Sequence, residues 1–101
     1  MTEQGTVAGW VWVIIEKEGD QEKLLALKDE NKGVSFIPAF QTKEDGVVGQ
    51  RGFPAKPGIK FELEAMRLSL VSEAARANHY DIYIIDHSGK VLEWLTPAPD
   101  A

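Results

Sequence analysis

The sequence predicts an α+β domain: a mostly antiparallel sheet in the order β-β-β-(α)-β-α-β-β, with one or two short helices on one face. Three observations predict it. Runs rich in β-branched and aromatic residues recur between polar turns. One alanine-rich run carries helical spacing. The longest apolar stretch, Val11 to Ile15 with Ala8-Gly9-Trp10 before it, is far below the ~20 residues of a membrane span.

Trp10 to Glu16 is the clearest strand. Trp10, Trp12 and Ile14 lie on one face; Val11, Val13 and Ile15 lie on the other. A strand with two apolar faces is covered on both sides, or keeps one face for a partner. Lys17 to Glu22 is polar, contains Gly19-Asp20, and predicts a turn. Lys23 to Lys28 follows as a second strand, antiparallel to the first. Asp29 to Gly33 is a second turn, in which Gly33 can take a positive φ. Val34 to Ile37 is a third strand. Pro38 is expected to end it, because proline has no N–H to extend a ladder. Thr42 then stands where an N-cap belongs, with Asp45 at N3. Glu44 and Asp45 lie in the first turn, where the helix dipole favours negative charge. Gly46 and Gly49 keep this helix brief. Gly49 to Gly58, with three Gly and two Pro, predicts a loop.

The next segment admits two readings. Ile59, Phe61, Leu63 and Ala65 alternate with Lys60, Glu62 and Glu64, as in a strand with one wet face. Leu63, Met66, Leu70, Ala74 and Ala77 also fit a single helix from Phe61 to Asn78. The preferred reading is a strand to about Arg67 and a helix from Leu70 to Asn78, with Ser69 as N-cap and Asn78 at the C-cap. Ala74, Ala75 and Ala77 would let that helix lie close on a sheet. Tyr80 to Asp86 is a strand, His87-Ser88-Gly89-Lys90 a turn, and Val91 to Leu95 closes a hairpin. The ordered core is expected over residues 7–95, with a flexible Pro-rich tail over 96–101.

Composition narrows the function classes. The 101 residues fit a single domain, 1–101, with one core. The chain has no cysteine, which excludes disulfides, thiolate zinc sites and thiol nucleophiles. Met1 to Gly5 has no basic segment of a secretory signal, so a cytoplasmic location is expected. The net charge is −5 and the basic residues are scattered. Such a surface repels a phosphate backbone, so no nucleic-acid partner is expected, and no membrane.

Candidate sites are few. His79 with Asp81, and His87 with Asp86, offer metal-ligand or acid–base residue types. The two histidines flank one strand, some six residues apart at ~3.3 Å each, so they cannot meet at one ion. Asp86-His87-Ser88-Gly89 reads as turn chemistry. Ser35, Ser69, Ser72 and Ser88 lack the Gly-x-Ser-x-Gly setting of a nucleophile. Gly46 to Gly52 contains no phosphate-loop pattern, though Arg51 offers an anion contact. Glu62 and Glu64 share one strand face and are explained by alternation. Trp10, Trp12 and Trp94 are many for a small domain; they serve either a core or an interaction surface.

The stretch Phe36-Ile37-Pro38-Ala39-Phe40-Gln41-Thr42-Lys43-Glu44-Asp45 resembles the Phe-Ile-Pro-Val-Phe-Thr-Ser-Glu-Glu signature of the SseB-like N-terminal domain family. The flanking strands are similar too, from about Trp10 to Leu95. The chain departs from the family pattern at Gly46 and Gly49, and in its closing turn, Asp86 to Gly89. The resemblance implies a strand giving way to a helix here, and an accessory or interaction role rather than a reaction. The expectation is therefore a non-catalytic module without cofactor, acting on a protein partner or as a homodimer. The competing expectation is a small-molecule- or anion-binding domain, or a small enzyme, built on the 49–58 loop.

Overall fold

With apolar side chains on both faces, the first strand belongs in the middle of the sheet, and it is found there. The computed structural model describes residues 9–97. β1 (Trp10–Glu18) pairs along one edge with β5 (Lys60–Arg67), from Trp10 opposite Arg67 to Lys17 opposite Lys60. Its other edge is shared. Trp12 and Val13 pair with Phe40 and Ala39 of β4 (Val34–Phe40), and Ile15 to Glu18 pair with β2 (Gln21–Leu24). β3 (Leu27–Asp29) pairs with the start of β4. The β2–β3 segment thus fills the fork where β1 and β4 part. β4 runs parallel to β6 (Asp81–Ile85), and β6 pairs antiparallel with β7 (Val91–Leu95). The result is an α+β fold: a mixed, mostly antiparallel seven-stranded sheet with two short α-helices, α1 (Lys43–Gly49) and α2 (Leu68–Asn78).

The class and element order are as the sequence predicts. Several details differ, each for a physical reason. Lys23–Lys28 is not one strand. It breaks at Leu25–Ala26, where the Leu25 N–H turns to the Ile14 carbonyl at 2.9 Å. Pro38 does not end β4, which continues to Phe40. On the β1 side the ladder is interrupted between Phe36, the last partner of β3, and Ala39, the first partner of β1. Pro38 falls in that interruption, so its missing N–H breaks no bond on that edge. Ser69 is not the N-cap of α2. Pairing with β1 runs out at Arg67, and the chain enters the helix at once with Arg67 as N-cap and no side-chain cap bond. The C-cap is His79, at φ 61°, rather than Asn78, whose side-chain amide donates to the Ala74 carbonyl at 2.9 Å.

The helices also lie on opposite faces rather than one. Val71 and Ala75 of α2 join Val11, Val13, Ile37, Ala39, Ile82 and Ile84 in the core of one face. α1 covers the other, where Ile14, Leu25, Phe40, Tyr83 and Ile85 are buried. A sheet with two apolar faces needs two covers. The glycines of α1 follow from this. A Cβ on Gly49 would come within 2.9 Å of Phe40 Cζ, and one on Gly46 within 2.8 Å of Leu63. They allow the helix to rest directly on the sheet.

Thr42 is the N-cap of α1, and its Oγ1 accepts the Asp45 N–H at 3.1 Å. Thr42→Ala is expected to lower unfolding stability by about 1 kcal/mol, read from the denaturant midpoint at unchanged m-value. Residues 7 and 8, where the ordered core is expected to begin, and 98–101 of the expected flexible tail lie outside the described residues.

Candidate interaction surface

α1 sits over β1, β4 and β5. Over β6 and β7 the same face is closed by side chains. Tyr83 is their hub. Its ring stacks on Phe36, with centroids 4.1 Å apart and planes at 13°. Trp94, opposite it on β7, meets it edge-on at 5.3 Å. The Tyr83 hydroxyl donates to Asp29 Oδ2 at 2.8 Å. Asp29 Oδ1 accepts the Asn31 and Lys32 N–H groups at 3.1 and 3.2 Å. One carboxylate therefore closes the β3–β4 turn and anchors the hub. Trp94 Nε1 donates to Asp81 Oδ2 at 2.6 Å, and the Lys32 ammonium lies 5.7 Å from its ring centroid. Trp94 is fastened in place yet 45% exposed.

Burial, and then the Asp29 carboxylate, push the Tyr83 phenol up to about 12. The Tyr83 hydroxyl, together with the Lys32 and Asn31 N–H groups, holds Asp29 below the usual carboxylate value against the opposing effect of burial. Because the fold favours the protonated phenol, the native state binds more protons than the unfolded one in this alkaline window. Stability from this contact is therefore complete below pH 10 and lost as the pH rises through about 12. An absorbance titration is expected to show one phenol ionising near pH 12 in the folded chain, and Tyr83→Phe to abolish that late step.

Beside the hub is a groove of about 330 Å³, lined on one side by Phe36, Phe53, Tyr83, Ile85 and Val91 and on the other by the charged residues Lys28, Asp29 and Glu30. Its margin is β7. A bulge skips Leu92 between the Ile84–Glu93 and Ile85–Val91 pairs, which places Val91 and Trp94 on the same face. Val91, Leu92 and Trp94 are all exposed. Glu93, the one charged side chain of β7, belongs to the α2 face, opposite Ile84. Among the described residues no strand pairs with the outer edge of β7, so its N–H and C=O groups there offer a template for another strand. β5, at the opposite margin, differs. It carries Lys60, Glu62, Glu64 and Arg67, the charges that guard an edge.

The residues singled out in the sequence scatter. Trp10 is exposed, with the Arg67 guanidinium 5.0 Å from its ring centroid. Trp12 is half-buried against the α1-face core, with the Lys43 ammonium at 5.9 Å. Both share a face, as expected, but β4 and β6 separate β1 from β7 by about 14 Å. The three tryptophans do not form one patch. Arg51 is exposed in a short 3-10 turn, Gln50–Gly52, while the loop after it contributes Phe53, 6.3 Å from the Phe40 ring. His79 caps α2, and Asp81 is taken by Trp94. His87 Nδ1 lies 3.2 Å from Asp45 Oδ1 and ties the β6–β7 turn to α1. Asp86 Oδ1 accepts the Ser88 hydroxyl, the Lys90 N–H and the Ser88 N–H, which hold its carboxyl below the usual range against the opposing effect of burial. Glu62 pairs with Lys17 at 2.8 Å. The described residues contain no group of three or more side chains arranged to hold a metal ion.

Sequence reasoning missed Asp29 with Tyr83, which are 54 positions apart. It also missed Glu16, which is 5% exposed. The signal for Glu16 was present: it continues the alternation of Trp10, Trp12 and Ile14 onto an apolar face. No protein-family model, curated protein or solved structure matches the chain. Among the described residues no helix is long and apolar enough to cross a membrane.

Proposed function

We propose that the protein is a non-catalytic interaction module that assembles edge to edge through β7, with a second copy of the chain as its partner. The observation that carries this reading is the unguarded edge, where Val91, Leu92 and Trp94 are each more than two-fifths exposed beside backbone groups that no strand among the described residues pairs with. A strand edge is satisfied by another strand edge. Two copies about a two-fold axis each supply the same backbone and the same apolar side chains.

The titrating pair of the groove supports a role without chemistry. A phenol near 12 and a depressed carboxylate are both moved away from the pH at which a general acid or base works. The accessory role implied by the resemblance to SseB-like N-terminal domains, and a cytoplasmic setting, are in keeping with this reading. Sedimentation over a wide concentration series tests it. A reversible monomer–dimer equilibrium is expected; a strict monomer throughout would contradict it.

A further inference from the structure

Trp10 and Trp12 take no part in the β7 edge. They stand two residues apart on one strand face, so their Cα atoms are ~6.6 Å from each other. Trp10 is 46% exposed and Trp12 is half-buried. β5 places Arg67 opposite Trp10 and the exposed Ala65 opposite Trp12. The Arg67 guanidinium lies over the Trp10 ring, 5.0 Å from its centroid. The Lys43 ammonium, from the first turn of α1, lies over the Trp12 ring at 5.9 Å. Lys43 and Val47 share one flank of α1, and Val47 is exposed. An apolar surface thus runs from Trp10 across Ala65 and Trp12 to Val47, with a cation over each indole.

Among the described residues neither Arg67 nor Lys43 forms an ion pair with a carboxylate. Other lysines do: Lys17 is held by Glu22 and Glu62, and Lys23 and Lys56 by Glu16. Glu44 follows Lys43 by one residue, so it points about 100° round α1, on the side of Val48 rather than of Trp12. Asp45 is taken by His87. In a chain of net charge −5, the surface over Trp10 and Trp12 is therefore locally cationic. A cation stacked on an indole keeps its N–H donors while its side chain is already placed, so little ordering remains for binding.

We infer that this surface docks an extended acidic segment of a protein partner. The segment's carboxylates meet Arg67 and Lys43, and its apolar side chains rest on Trp10, Ala65 and Val47. Charge complementarity selects an acidic occupant, and the Arg67 guanidinium offers a carboxylate two parallel N–H donors. Same-face side chains of an extended peptide repeat at the ~6.6 Å that separates the two indoles. A nucleic acid fits less well. Its bases need ring faces that Arg67 and Lys43 occupy, and its phosphates meet a chain of net charge −5. β4 and β6 separate this surface from β7, so the inference does not rest on assembly through that edge.

The test is a titration of the full chain with the capped peptide Glu-Leu-Glu-Leu-Glu, read from the indole N–H resonances. Capped Gln-Leu-Gln-Leu-Gln and a short oligothymidylate are the controls. Saturable shifts at Trp10 and Trp12, with Trp94 unmoved, are expected for the acidic peptide alone, and added salt is expected to weaken them. Arg67→Gln with Lys43→Gln is expected to weaken binding by about tenfold, because two exposed charge pairs are lost. Both side chains are exposed and outside either core, so the variant is expected to fold. Trp10→Ala leaves both charges in place and is expected to weaken binding too, which charge attraction alone would not produce. Unsaturated shifts, an equal response to the glutamine peptide, or unchanged binding in either variant would overturn the inference. So would tighter binding of the oligothymidylate, or shifts of Trp10 and Trp12 on concentrating the chain without peptide, which would assign the surface to a second copy.

Discussion

Phe40→Ala is expected to lower the unfolding free energy by about 3–5 kcal/mol. For a domain whose total stability is of order 5–15 kcal/mol, that is a large share. Phe40 is fully buried at the end of β4, paired with Trp12 on one side and Ile85 on the other. Gly49 of α1 rests on its ring and Phe53 stands 6.3 Å away. Truncation opens a void between sheet and helix that a fully paired strand cannot close. The complementary change is Gly49→Ala. Alanine is the better helix former by about 1 kcal/mol, but its methyl would overlap a buried aromatic ring. Overpacking costs about 1–3 kcal/mol, so a net loss is expected. Denaturant midpoints at constant m-value measure both, and a stabilised Gly49→Ala would show that α1 does not press on the sheet.

Leu92→Lys is expected to weaken self-association by about tenfold or more while leaving unfolding stability within about 0.5 kcal/mol. Leu92 is the extra residue of the β7 bulge and is 44% exposed. It is not among the residues packed against either core, so the folded monomer does not depend on it. A lysine on a strand edge is the device by which edges avoid pairing. Trp94→Ala is a less clean probe, because it also removes the bond to Asp81 and the edge contact on Tyr83. Loss of association without loss of stability separates an interaction surface from a core.

Much of this fold was readable wherever a local rule acts alone. The two apolar faces of Trp10 to Ile15 marked a central strand. Thr42 with Asp45 marked a helix start, and the alternation from Lys60 to Arg67 marked a strand against its helical rival. Errors arose where long-range pairing overrides a local rule. Pro38 sits inside a strand because the ladder on one edge is interrupted beside it. Ser69 lost the cap because pairing with β1 dictates where β5 ends. The placement of α1 and α2 on opposite faces depends on the crossover from β4 to β6, which periodicity does not encode. The interaction surface was legible only in Trp94. Tyr83, Asp29 and the bulge at Leu92 acquire meaning from cross-strand register, and Glu16 from the burial of its neighbours.

Amide hydrogen exchange along Val91 to Leu95, measured at low and at high protein concentration, tests the role of β7 most directly. The N–H groups on the outer edge of β7 have no strand partner among the described residues. They are expected to exchange freely in the dilute monomer and to become protected as the concentration rises, with the β5 edge unchanged. Identical, unprotected exchange of β7 at both concentrations would contradict an interaction module built on this strand.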